Sequence, residues 1–514
     1  MAATATTAVQ DGGRLTRTLT TPKIVFIIIA AAAPLAAMVF TVPLSFALGT
    51  GASVPALFVF AGITLLCFTV GYAAISREIS HAGGFYTYIV RGLGRPPAVG
   101  GGLIAVIAYN TVSIALLGAF AYFTQTVAAS HGLHLPWEVW AAVGLVVVGV
   151  FGYRHVEFSA RVLAVFMVCE ILVLTALDIA VLVRHGGAAL PTSSFQPHSI
   201  FAPGLGVSVM FAFASFIGFE SAALYGEEAR NPKRSVPLAT VIAVLLVAAF
   251  YAFTSWIAVG AVGAANVRTT AAAHLGDLFF NLGSDYLGPV AVAVMQTLVC
   301  TSLFAGWLAL HNAANRYMFV LGRDRVLPRW LDAVHPKHKA LHRASMLQTS
   351  VSAVVAIAFA AAGLDPFVNM ATTMLGIGTL GIIALQALAS FSVLGFYRRR
   401  PGQWWRTKIA PALGSIGMVT ATVLVVTNFG VLTGTSNPVV TSLPWLLVAA
   451  SVGGIGFALW LRAKHPERYR GLAGMEGESA AEAAAAESVA PGVEPLPTAA
   501  DARELDSVPS LPVL

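Results

Sequence analysis

"FAFASFIGFESAALYGEEARNPKRSVP", residues Phe211 to Pro237, changes character halfway along. The first half is apolar enough to sit inside a bilayer. Glu220 then interrupts it, and the charged run Glu227-Glu228-Ala229-Arg230-Asn231-Pro232-Lys233-Arg234 follows. Ser215 and Gly218 fall mid-segment, where glycine costs up to about 1 kcal/mol against alanine in a helix interior. A carboxylate facing lipid costs about 3 kcal/mol on an insertion scale. Two readings follow from the residues. Either small residues form a packing face between membrane helices, or the helix is interrupted at membrane depth around a polar site.

Composition sets the class. The chain has 514 residues, 57% hydrophobic and 10% charged, with a mean hydropathy of +0.79. A soluble domain carries about 25% charged residues, so this chain is expected to be an integral membrane protein in contact with the lipid bilayer. Apolar runs long enough to cross a hydrocarbon core of about 30 Å recur along it. They predict an all-α protein of twelve spans, at 22–48, 53–76, 99–129, 137–153, 157–183, 204–227, 235–263, 284–315, 344–363, 367–397, 407–432 and 441–462. The polar tail 1–21 lacks the order of a cleaved signal peptide, so the first span is expected to direct insertion.

Charge fixes the direction. With the N-terminus in the cytoplasm, 28 of the 30 lysines and arginines fall in inward segments, and only Arg184 and Arg268 lie outside. This is the positive-inside asymmetry, and it predicts a multi-pass protein of the cell membrane with both termini cytoplasmic. The net charge of +7 is therefore an orientation signal, not a nucleic-acid surface. Cys67, Cys169 and Cys300 lie in apolar runs and read as small buried side chains, with no metal site and no cofactor implied. Residues 471–514, rich in Ala, Glu and Pro, read as a disordered cytoplasmic tail.

The first span favours interruption over packing. "IIIAAAAPLAAMVFTVPLSFALGTG" places Pro34 in mid-membrane and Pro43 nine residues later. Each proline removes a helix hydrogen bond and clashes with the preceding turn. Backbone left open at that depth must be buried or line a cavity. Spans one and six are corresponding members of two five-span halves, 22–183 and 204–397, and interrupted helices at matching positions point to a transporter's midplane site. A half-helix starting near Ala36 would aim N–H groups and its positive dipole end at a carboxylate. Carbonyls near Ala214 and Ile217 would accept from an ammonium. A ligand carrying both groups is an amino acid.

These residues resemble the amino acid–polyamine–organocation permeases. "FASFIGFESAALYGEEARNPKRSVPLAT" is similar to that family's sixth span and exit. "ISREISHAGGFYTYIVRGLG", with Gly83, Gly84 and Tyr86, is similar to its span-two exit, and "NAANRYMFVLGRDRVLPRWL" to its span-eight exit. The resemblance covers about residues 22 to 462. It implies a leucine-transporter-like fold of two inverted five-span repeats plus two further helices at 407–462, working by alternating access. It also implies that Arg230, Lys233 and Arg234 hold Glu227 and Glu228 during rocking, where a topological anchor is the rival account.

Departures from the family pattern are equally informative. Ala32-Ala33-Pro34-Leu35-Ala36 stands where the family commonly has a glycine-rich break. An aromatic gate of some members falls on Ala214, with Phe213 or Phe216 as substitutes or as packing residues. A lysine in the fifth span of many members is replaced by Glu170. That carboxylate could bind a proton or a sodium ion with Thr301 and Ser302, meet a cationic substrate group, or be a structural group satisfied by hydroxyls. Asp178, two turns further outward, is expected at the interface. The candidate substrate residues are thus Ala33, Pro34, Leu35, Ala36, Ala214, Ser215, Ile217 and Gly218, with Tyr109 and Asn110 of span three. The coupling candidates are Glu170, Thr301 and Ser302. His311 is expected to be packed or interfacial.

An enzyme is disfavoured, because the chain shows no metal-ligand spacing, no Gly-x-Ser-x-Gly turn, no phosphate-cradling loop and no paired carboxylates in one span. A channel filter motif is likewise lacking. The reading is a secondary transporter of amino acids, with an amine or polyamine carrier, an exchanger or a permease-fold sensor as alternatives.

Overall fold

The computed structural model describes residues 19–78, 84–154, 160–220, 229–400, 402–433 and 441–472. All regular structure among them is helical, and one isolated bridge joins Leu19 to Ala229. Eleven helical segments are long and apolar enough to cross a membrane. The expected twelfth, span six, is described as the short apolar helix Leu205–Ala214, and the continuation at 221–228, with Glu227 and Glu228, lies outside the described residues.

Span one runs over Thr21–Leu48 and span two over Gly51–Glu78. Span three is Arg95–Ser130, span four Trp137–Arg154 and span five Ala160–His185. Span seven is Pro232–Val262, span eight Pro289–Arg323 and span nine His342–Ala361. Span ten is Pro366–Phe396, span eleven Trp405–Thr427 and span twelve Trp445–Lys464. The helix Leu278–Leu287 precedes span eight, where the apolar pattern placed the start of that span.

The two most extensive helix contacts are span two on span seven and span three on span eight. The members of each pair lie five spans apart along the chain. The interior is correspondingly apolar, and its largest fully buried side chains include Trp307, Tyr251 and Phe211. Spans four, nine and twelve bury little of their surface and expose valines and leucines such as Val146, Val354 and Val452, as lipid-facing helices do. The three cysteines are half-buried and unpaired, so they are less enclosed than their apolar context suggested.

Both ends of the bundle are tied around the interrupted helices. Near Leu48, the Arg268 guanidinium donates to the Gly49 carbonyl and, at 3.2 Å, to that of Pro203. At the other end the Arg230 N–H donates to the Leu19 carbonyl at 2.9 Å. Tyr86 donates to Asp324 at 2.9 Å, which joins the span-two exit motif to the span-eight one.

Candidate functional site

Span one breaks at Ala33. This residue has φ 47° and ψ 69°, left-handed backbone that costs a non-glycine residue energy and persists only where the surroundings impose it. Pro34 supplies the cause, since it has no N–H to continue the ladder and opens the next helical stretch, Pro34–Ala36. The outer half of the span therefore begins two residues before Ala36. Pro43 produces no second break. The segment Ala37–Thr41 widens into a π-helix ahead of it, and Val42–Leu48 continues as α-helix, so the missing N–H falls where the ladder is already offset.

Side chains from neighbouring spans take up the groups this break leaves open. Glu170 of span five, 4% exposed, accepts from the Leu35 N–H at 3.1 Å. Tyr251 of span seven donates to the Ala32 carbonyl at 3.0 Å. Ser302 of span eight lies close to the Glu170 carboxylate but makes no hydrogen bond of good geometry. Thr301 turns back on its own helix, to the carbonyls of Thr297 and Leu298. Ala37 returns its N–H to Ala33, so the Ala36 N–H is the one early donor of the half-helix that enters no hydrogen bond among the described residues.

Span six breaks where Ser215 and Gly218 predicted. The helix ends at Ala214, and turn follows through Gly218, whose φ of +112° favours glycine. Glu220, 5% exposed, folds back onto this turn. Its two oxygens accept from the Gly218 N–H at 3.0 Å and from the Tyr109 hydroxyl at 2.7 Å. The two breaks are joined directly, since Thr41 and Ser215 share a hydrogen bond of 2.7 Å.

A cavity of about 60 Å³ lies between the breaks, on a measure where one water fills roughly 10–15 Å³. Of the substrate candidates, Ala33, Ala36, Ala214, Ser215 and Ile217 line it, and so does the coupling candidate Ser302. Pro34, Leu35 and Gly218, also expected there, are not among its lining residues. Tyr109 stands outside the lining, holding Glu220 and stacking on Tyr317 with centroids 5.2 Å apart. Asn110 donates to the Val106 carbonyl of its own helix. The aromatic in the lining is Phe40. Phe213 packs against Phe60, and Phe216 against Tyr251, so neither replaces a gate at Ala214. Thr41, Ser215 and Ser302 are the polar side chains of the lining, and none of its side chains is charged.

Two further placements bear on the sequence reading. His311 is buried and hydrogen-bonded to Ser345 at 2.9 Å, a packed position as expected. Asp178 departs from expectation. It is 3% exposed, not interfacial, and accepts from Thr254 of span seven at 2.7 Å. Neither Tyr251 nor Asp178 could be placed from the sequence, because span five and span seven have no strongly amphipathic pattern to say which face turns inward.

Comparison with known proteins agrees with this architecture. The family model described as amino acid permease matches residues 19–457. An uncharacterized transporter of Mycobacterium tuberculosis (strain ATCC 25618 / H37Rv) is 28% identical over 70% of this chain and 75% of its own. The methylthioribose transporter of Bacillus subtilis (strain 168) is 24% identical, over 69% of this chain and 76% of its own. The branched-chain amino acid permease of the same organism is 25% identical, over 65% and 71%. With the family model covering residues 19–457 and eleven helices long and apolar enough to cross a membrane among the described residues, this multi-pass membrane transporter belongs to the amino acid permease family.

Proposed function

We propose that the protein moves a small, neutral amino acid across the cell membrane by alternating access, with both termini cytoplasmic and Glu170 as its proton carrier. The observation that carries the substrate class is the cavity itself, which is bounded by two helix breaks and lined by no charged side chain. An amino acid brings its own two charges. Its carboxylate suits the Ala36 N–H and the positive end of the outer half-helix. Its ammonium suits the hydroxyls of Thr41 and Ser215 and the second lone pairs of carbonyls at the span-six break. A side chain would then lie against Val112, Leu116, Leu303 and Leu375, which favours an apolar one. The relative named as a branched-chain amino acid permease supports this choice.

An amine or polyamine would bring uncompensated positive charge into a lining that holds no carboxylate, at a high cost in desolvation. The orientation rests on the charge asymmetry, and the cell-membrane location on the same spans. Proton coupling is supported by the enclosure of Glu170 with one firm donor, since a buried carboxylate must be neutralised at some stage of the cycle.

Binding to the purified protein, followed by thermal stabilisation with a panel of ligands, tests the substrate class. Leucine, valine and alanine should stabilise it, while arginine and putrescine should not. Stabilisation by putrescine alone, or by methylthioribose alone, would overturn the assignment.

A further inference from the structure

The seam between spans five and seven buries a carboxylate for which the substrate cavity has no use. Asp178 Oδ2 accepts from the Thr254 hydroxyl at 2.7 Å. Its Oδ1 is sealed from solvent and has no hydrogen-bond partner among the described residues. Eight residues separate it from Glu170, which puts it about 12 Å further along the helix. Both belong to the buried side of span five, with Leu174, Leu177 and Val181.

The elements packed on span five are spans one, seven and eight, the helix Leu278–Leu287 and the turn Gly186–Ala189. Their titratable and charged groups are few. Span seven brings Tyr251, engaged with the Ala32 carbonyl, and near its start Lys233 and Arg234. Span eight brings Cys300 and, towards its far end, His311, Arg316, Tyr317 and Arg323. The helix before span eight brings Asp285 and Tyr286, which meet Arg184 and His185 at the end of span five. Span one has Lys23 at its far end, the turn has none, and span five itself adds Glu170, Cys169 and Arg161. Among the described side chains none forms an ion pair with Asp178.

We propose that Asp178 is a second proton-binding site, loaded from the outer solution on Oδ1 and distinct from Glu170. Ionised, Asp178 has one donor for two oxygens in a place closed to water, which is costly. Protonated, it keeps the Thr254 bond on Oδ2 and carries no charge. Closure of the five–seven seam is therefore favoured once the proton has arrived, and reopening favours its release. Thr254 and Tyr251 lie less than one turn apart on span seven, and Tyr251 holds the Ala32 carbonyl at the break. Protonation of Asp178 is thus tied mechanically to the element that shapes the substrate cavity. The proton leaves a hydronium ion for the carboxylate oxygen and is handed to water on the cytoplasmic side, with no bond made to substrate. The site's role in transport rests on the proton-coupled reading of Glu170, but its existence as a proton acceptor does not.

Infrared difference spectra of the full-length protein in liposomes, recorded through a pH titration, test the site directly. One component of the protonated-carboxyl C=O band should vanish in Asp178→Asn and persist in Glu170→Gln. Thr254→Val keeps the carboxyl and removes its donor, so the midpoint of that component should move. An unchanged band in Asp178→Asn, an unmoved midpoint in Thr254→Val, or a component that sodium displaces at constant pH would each overturn the proposal. In uptake, Asp178→Asn should retain counterflow exchange, which shows that it folds and binds. Its pH-driven accumulation should fall about tenfold per unit of imposed gradient, the factor set by one proton. Wild-type accumulation in Asp178→Asn alongside its loss in Glu170→Gln would make Asp178 a structural tie and sink the inference. If no form accumulates substrate on a pH gradient, the coupling reading of Glu170 fails, and the infrared component alone decides whether Asp178 takes a proton.

Discussion

The Glu170 carboxylate accepts the Leu35 N–H at 3.1 Å across 135 positions of sequence. Pro34 has no N–H, so Leu35 carries the first donor beyond the break, and its partner is a group that can lose its charge. On the far side of Ala33 the Tyr251 hydroxyl meets the Ala32 carbonyl at 3.0 Å. Spans five and seven thus hold the two loose backbone ends of span one, so the change of protonation proposed for Glu170 would act on the backbone beside the cavity.

Glu170→Gln separates the tie from the charge. The amide oxygen can still accept from Leu35, so the protein should fold and exchange substrate at near wild-type rate, while accumulation driven by a pH gradient falls by the factor of the one proton Glu170 carries, about tenfold per unit of gradient. Glu170→Ala leaves the Leu35 N–H buried without a partner, at about 1–3 kcal/mol, and should lose both activities and melt lower. Counterflow and gradient-driven uptake measured side by side distinguish the two variants. Full pH-driven accumulation by the Gln variant would contradict the assignment.

Tyr251→Phe removes one hydroxyl and leaves the Ala32 carbonyl unpaired. The expected cost is about 1–3 kcal/mol, read as a lower melting temperature in detergent and weaker ligand stabilisation. A variant as stable as wild type, with unchanged affinity, would show that the break holds its shape without span seven.

Backbone strain at Ala33 gives a graded series. Ala33→Gly accepts a φ of 47° freely and should keep transport. Ala33→Val places a β-branched side chain in left-handed backbone, so transport should fall sharply while membrane insertion remains normal. Equal transport by the two variants would mean that the break is not required.

Gly218→Leu forces a side chain onto backbone at φ +112° and disturbs the N–H that holds Glu220. Flux should drop to near background with expression maintained. Unchanged flux would favour the packing-face reading of Ser215 and Gly218. Ala36→Trp tests the same cavity from the span-one side, filling the space beside the free N–H and abolishing ligand stabilisation.

Much of this fold was legible in the sequence because membrane insertion writes itself into composition. Apolar runs and lysine and arginine placement gave the spans, and Pro34, Ser215 and Gly218 gave the breaks. The span-six break matched its residues closely, since glycine at positive φ leaves a direct mark. At span one the strained residue proved to be Ala33, one position before the proline that causes the strain. Pro43 was absorbed by a π-turn, which a count of prolines cannot foresee. Tyr251, Thr254 and Asp178 were missed or misplaced because spans five and seven show no marked division into a polar and an apolar face. In such a helix only tertiary packing decides which polar group faces a neighbour. Tyr109 looked like a cavity residue by position, but its hydroxyl was claimed by Glu220 across the span-three to span-six contact.

Uptake of radiolabelled leucine by wild-type protein in sodium-free liposomes, under an imposed inward proton gradient, tests the central claim most directly. The predicted result is accumulation above equilibrium that collapses on adding a protonophore and is competed by valine and alanine but not by arginine or putrescine. Uptake that only reaches equilibrium, or that needs sodium to exceed it, would contradict proton coupling through Glu170.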